Sequence, residues 1–184
     1  MKVFDTEIPD VRIIEPTVYE DERGYFFEAY NAQKFEELMG FCANFCQSNE
    51  SYSKKGTIRG LHLQKEPFSQ SKLVRVVSGE VLDVAVDCRW GSSSYGKHIS
   101  VILSSENKRQ LYIPKGFAHG FQVLSDECVL NYAVDAPYDA PSEIEIDCFD
   151  DDLDIKWRAC EAIKMSKKDS EARAFSQIIE IVKR

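Results

Sequence analysis

The sequence predicts an all-β protein, a double-sheet sandwich or barrel with a few peripheral helices, folded as one domain over residues 1–184. Three observations lead there. Between residues 72 and 134, short runs rich in Val, Ile, Leu and Tyr recur, each bounded by Gly, Ser, Asp or Pro, which is the rhythm of antiparallel strands. Helical spacing is confined to two stretches outside that region. The 184 residues suffice for one filled core, and no repeat, low-complexity segment or linker divides them.

In chain order, residues 11–19, VRIIEPTVY, alternate imperfectly and read as a strand, followed by the turn EDERG and a second strand in YFFEAY. NAQKFEELMG is the first helix: Asn31 is a capping residue, Phe35 and Leu38 stand three apart, and Gly40 ends it. The next segment, ANFCQSNESYSKKGTIRG, is polar and reads as irregular chain. KLVRVVSGEVLDVAVD follows as two β-branched runs broken by Ser78 and Gly79, a hairpin signal. GKHISVILS, RQLYIPKG, GFQVLSD and CVLNYAVD continue the series. In the tail, DSEARAFSQIIEIVKR, the residues Ala174, Ile178, Ile179 and Val182 fall at helical spacing.

Composition removes several classes. With 43% hydrophobic and 29% charged residues, the chain is globular rather than disordered. A formal charge of −8 argues against a nucleic-acid surface but leaves room for a local basic pocket that takes a small anion. No apolar run approaches the ~20 residues of a membrane helix, and the opening MKVFDTEIPD has no apolar export core. Six cysteines, Cys42, Cys46, Cys88, Cys128, Cys148 and Cys160, show no metal-site rhythm beyond the close pair Cys42 and Cys46. They are expected to be reduced and mostly core, in a cytoplasmic protein.

The candidate chemistry gathers around histidine. His62 lies in TIRGLHLQKEPFSQSK, with Arg59 before it and Lys72 after it. A histidine near a strand end is more often a hydrogen-bonded, half-buried side chain; as a base, an imidazole of ordinary pKa, about 6.5, is mostly neutral at pH 7 and ready to accept a proton. The two cations suit a phosphate or a developing oxyanion. Tyr132, in VLNYAVDAPY, reads as core or, with a phenol pKa near ~10, as a proton donor. Asp169, in MSKKD, reads as the exposed cap of the last helix or as the carboxylate that orients His62. His98, in YGKHIS, fits no motif and is expected at the surface.

His119 sits in YIPKGFAHGF, whose Pro-X-Gly-X-X-His pattern resembles the second motif of the cupin superfamily, a small double-sheet jelly roll. Metal-binding cupins carry His-X-His on an earlier strand; here that place reads HLQ, with Gln64 in the second position, so no metal is expected. DERGYFFE, FCQSNESYSKKGTIRGLHLQ, SKLVRVVSGEVLDVAVDCR, YIPKGFAHGFQVLSD, YAVDAPYDAPSE and MSKKD follow one another over nearly the whole chain. In that order they closely resemble the dTDP-4-dehydrorhamnose 3,5-epimerase family. The resemblance implies a cupin-type jelly roll, a homodimer with exchanged N-terminal strands, a nucleotide-sugar substrate, and neither metal nor redox cofactor. Residue by residue it implies His62 as base, Tyr132 as proton donor, Asp169 as the group that orients the histidine, and Lys72 beside the C4 ketone. Arg23, Glu28, Gln47, Ser48 and Asn49 match nucleotide-binding positions, the first two reaching into the neighbouring subunit's site. Arg59, His119, Glu143 and Lys168 match further substrate contacts, and Tyr138 matches the aromatic that stacks on thymine. The chain departs from the family where it reads QSNES for QDNHS, RGLHLQ for RGLHYQ, and CFDDD in place of a W-N-D-P run.

The activity so implied is inversion of C3 and C5 in dTDP-4-dehydro-6-deoxyglucose. A C4 ketone acidifies the hydrogens on both flanking carbons, so one base and one opposing acid invert each centre in turn. Rival expectations are a relative that inverts a single carbon, a 3,4-ketoisomerase (for which HLQ lacks a His-X-His pair), and a non-catalytic jelly roll that binds nucleotide sugars.

Overall fold

The computed structural model describes residues 1–182. The chain runs through β1 (Lys2–Asp5), β2 (Arg12–Glu15), β3 (Val18–Asp21), β4 (Gly24–Phe27), α1 (Ala32–Met39), β5 (Gln47–Lys54), β6 (Ile58–Gln64) and β7 (Lys72–Ser78). It continues through β8 (Glu80–Asp87), β9 (His98–Ser104), β10 (Gln110–Ile113), β11 (Phe117–Val123), β12 (Glu127–Val134), β13 (Glu143–Glu145), α2 (Lys167–Ser170) and α3 (Ile179–Val182). A six-stranded sheet, β1-β2-β10-β7-β12-β5, faces a five-stranded sheet, β13-β6-β11-β8-β9, and β3 pairs with β4 in a hairpin of its own. The expected double-sheet jelly roll with peripheral helices is present.

Strand β8 shows why the core sits where it does. EVLDVAVD is buried almost end to end, because both of its faces are covered. Val81 and Ala85 point between the sheets, into a cluster with Val74, Leu111, Phe121 and Leu130. Leu82, Val84 and Val86 point the other way, under a layer formed by Ile58, Ile146, Leu153, Phe175 and Ile178. The period-two alternation of a strand thus feeds two cores at once. A third cluster seats α1 through Phe35 and Met39 on Leu73 and Tyr112; α1 starts at Asn31, whose side chain accepts from Lys34 N, and stops at Gly40 in the left-handed region, as its sequence predicts.

Several expectations are corrected. Residues 11–19 are two strands, since Pro16 has no N–H to donate: β2 stays in the large sheet and β3 leaves it. The polar segment before His62 is mostly strand, β5 and the start of β6; β5 lies at a sheet edge, paired with β12 from Gln47↔Val134 to Lys54↔Glu127, so it needs few apolar residues. Ser78 and Gly79 do not close a hairpin. Gly79 turns at φ +87°, but β7 then pairs with β10 and β12 while β8 pairs with β9 and β11, so this turn carries the chain from one sheet to the other. The tail is shorter in helix than its spacing suggests: a 3₁₀ turn at Phe175–Ile178, then α3, with residues 183–184 outside the described residues. His98 is half-buried, and burial lowers its imidazole pKa. The six cysteines are free thiols; Cys88, Cys128 and Cys148 are buried, Cys160 half-buried, and Cys42 and Cys46 exposed.

Candidate active site

Two histidines face one another across β6 and β11. His62 is the register partner of His119, and the ladder shifts by a bulge immediately afterwards, between His119 and Phe121. Glycine makes this approach possible. A Cβ on Gly60, at φ +109°, would lie 2.6 Å from Gly120 Cα and 2.6 Å from the His119 carbonyl oxygen.

Each histidine holds a carboxylate. His62 Nε2 is 2.5 Å from Asp169 Oδ1, and Asp169 is only 4% exposed although it comes from the short helix α2. The cap of that helix is Ser166, which accepts from Asp169 N at 3.1 Å, so Asp169 is free to turn inward. Burial pushes the Asp169 carboxyl up, but the hydrogen bond and charge of His62, with Ser166 and Lys168, outweigh it and hold the group below its ordinary value. An ionised carboxylate only accepts, which puts the shared proton on Nε2 and leaves the Nδ1 lone pair of His62 available. His119, buried, lies 2.9 and 3.1 Å from the two oxygens of Asp83. Burial lowers its imidazole pKa despite that carboxylate.

Lys72, from the facing sheet, reaches over to donate from Nζ to the His62 carbonyl at 3.3 Å. It is 7% exposed, and burial brings its ammonium down to about 8 while Asp83 and Glu143 resist the change. Tyr132 belongs to the same facing sheet, half-buried against the inter-sheet core. Burial raises its phenol pKa and Glu143 adds to the rise, with Arg59 and Lys168 opposing. Glu143 also feels His62. The imidazole and the phenol therefore border one electrostatic neighbourhood from opposite sheets.

A rim of polar side chains surrounds this centre. Glu143 accepts from Lys168 Nζ at 2.6 Å and from the Tyr138 hydroxyl at 2.8 Å. Tyr138 is 56% exposed, and its backbone N–H donates to Gln47 Oε1 at 3.3 Å. Gln47 donates to Asn49 at 2.7 Å, while Ser48, on the other face of β5, accepts from Asn131 at 3.3 Å. Arg59 donates to Ser53 Oγ and to the Tyr52 carbonyl. Gln64, standing where metal-binding cupins place a second histidine, donates to the carbonyls of Phe68 and Pro137 and accepts from Asp139 N, which anchors the loop bearing Tyr138. The Ser48 side chain thus turns away from this rim, and two further expected residues stay apart. Arg23, at the tip of the β3–β4 hairpin, pairs with Asp21, and Glu28 pairs with Lys34 and Asn31. Asp83 is a site residue that no motif singles out; its one signal in the sequence is a carboxylate between the apolar residues of VLDVAV.

The dTDP-4-dehydrorhamnose 3,5-epimerase family matches this sequence over residues 5–177. The chain belongs to that family. It is 50% identical over 175 residues to a dTDP-4-dehydrorhamnose 3,5-epimerase of Shigella flexneri, covering 95% of this chain and 96% of that relative. The fold matches the crystal structure of a dTDP-6-deoxy-D-glucose-3,5-epimerase from Legionella pneumophila Philadelphia 1 in complex with dTDP-4-keto-L-rhamnose. There the TM-score is 0.96 at 46% identity, over 98% of this chain and 96% of the other. A 3'-monoepimerase from Streptomyces bikiniensis, in complex with dTDP-quinovose, is similar at a TM-score of 0.91 and 28% identity, over 98% of this chain and 90% of that one. The double sheet is thus the cupin-type jelly roll of this epimerase family.

Proposed function

We infer that the protein is an isomerase that inverts C3 and C5 of dTDP-4-dehydro-6-deoxyglucose, yielding dTDP-4-dehydrorhamnose, by removing and returning protons beside the C4 ketone. The observation that carries this reading is the His62–Asp169 pair at 2.5 Å, set among Lys72, Glu143 and Tyr132 in a chain of this family. His62 takes a proton from carbon and Asp169 steadies the imidazolium that results. Lys72 donates to the oxygen of the enolate as charge builds there, an effect worth roughly 3 kcal/mol per donor. Tyr132, its phenol protonated at neutral pH, returns a proton to the opposite face of the ring.

Arg59, His119, Glu143 and Lys168 contact the rest of the nucleotide sugar in this reading, Gln47, Ser48 and Asn49 hold the nucleotide, and Tyr138 stacks on thymine. Arg23 and Glu28, on or beside a hairpin that among the described residues pairs only with itself, complete the site of a second copy, so the working unit is a homodimer with exchanged N-terminal strands. Each copy is one domain acting in the cytoplasm; no helix among the described residues is long and apolar enough to cross a membrane.

Incubation with dTDP-4-dehydro-6-deoxyglucose in D₂O tests the activity, with NMR locating the label. Deuterium at both C3 and C5 is expected. Deuterium at one carbon alone favours the single-carbon epimerase, the second reading, which the likeness to the Streptomyces bikiniensis 3'-monoepimerase supports. No deuterium at either carbon leaves a binding protein.

A further inference from the structure

Asp83 has no role in the reaction as described so far, yet it is a charged side chain that β8 sends into the space between the sheets. Val81 and Ala85, two residues to either side, lie in the inter-sheet core, and Asp83 shares their face with 0% exposure. A bare carboxylate is costly there and persists only with partners. Its partners are specific: both oxygens lie within 3.1 Å of His119 Nε2, and its charge reaches Lys72 on β7. The other titratable groups near these side chains are Glu143 at the start of β13, His62 on β6 and Cys128 on β12; the register partner on β9 is the apolar Val101. Glu143 is already paired with Lys168 at 2.6 Å, which makes Asp83 the natural counter-charge of Lys72.

We propose that Asp83 is a positioning residue for the reaction: its buried carboxylate fixes His119 in the tautomer that carries its proton on Nε2, and supplies the negative charge that balances the Lys72 ammonium. The role rests on the reading that Lys72 faces the substrate carbonyl. Burial drives a lysine towards the neutral amine, and at about 8 this one keeps its charge at neutral pH with little margin. Without Asp83 the margin vanishes. Lys72 then meets the enolate as an amine, a far weaker partner for a developing oxyanion.

The test is the pH profile of kcat for Asp83→Asn, which preserves shape and removes charge. The basic limb is expected to move down by roughly one to two pH units, and Asp83→Glu is expected to return the limb towards its original position. A limb that stays in place in folded Asp83→Asn overturns the proposal. Should Asp83→Asn not fold, the unmodified enzyme still decides: ¹⁵N shifts of His119 at pH 7 are expected to show a protonated Nε2 and a bare Nδ1, and the opposite tautomer overturns it. Deuterium exchange by the unmodified enzyme tests the activity separately, so the reaction can stand while this role for Asp83 falls.

Discussion

A base that takes a proton from carbon must be neutral before the step and tolerable as a cation after it. With His62 as the proposed base, the second requirement falls to Asp169, whose carboxyl is held below its ordinary value and so is anionic at neutral pH. His62 and Asp169 stand 107 residues apart in sequence, so spacing could suggest each and pair neither; the pairing came from motif order and then from geometry. Asp83 stayed hidden for the opposite reason, because a carboxylate in an apolar strand reads as a position facing water. Lys72 makes a prediction at this scale. An ammonium exists below its pKa, so kcat is expected to hold at neutral pH and decline as pH rises through about 8, with the Tyr132 phenol, shifted upward, still protonated there. A rate profile flat well above that pH would remove the ammonium from the chemistry.

Elements differ in how openly they declare themselves. Strands that bury a face, such as β7, β8 and β9, announce themselves by β-branched and apolar runs. β5 does not, because an edge strand that exposes alternate residues can be written in Ser, Asn, Glu and Lys. The turn at Gly79 was visible but its partners were not, since a local φ cannot say which sheet the next strand will join. The close pairing of β6 and β11 depends on a backbone that only glycine allows. Gly60→Ala is expected to cost at least about 1–3 kcal/mol in urea unfolding, from its positive φ alone, and more from the contact with the Gly120 backbone. A stability equal to the parent's would mean the two strands have room to separate, and His62 would not be so tightly placed.

At the scale of the whole molecule, a chain of formal charge −8 still brings Arg59, Lys72 and Lys168 to one site, among Asp83, Glu143 and Asp169, where an anionic substrate can meet them. The hairpin β3–β4 exposes Tyr19, Tyr25 and Phe26 at 65%, 56% and 69%, a large apolar area for an element attached to neither main sheet. Covering it with a second copy would bury those rings and carry Arg23 to a neighbour's site. Light scattering is expected to give twice the mass of one chain, and Phe26→Asp to lower both that mass and the activity. A fully active monomer would return Arg23 and Glu28 to ordinary surface residues.

The most direct test of two groups working from opposite faces is Tyr132→Phe, assayed in D₂O for label and for configuration together. With His62 intact and the donor gone, deuterium is expected to enter beside the ketone with the original configuration retained, because the same imidazole takes and returns the proton. Inversion at the unmodified rate would contradict the proton-donor role of Tyr132 and, with it, the two-sided chemistry.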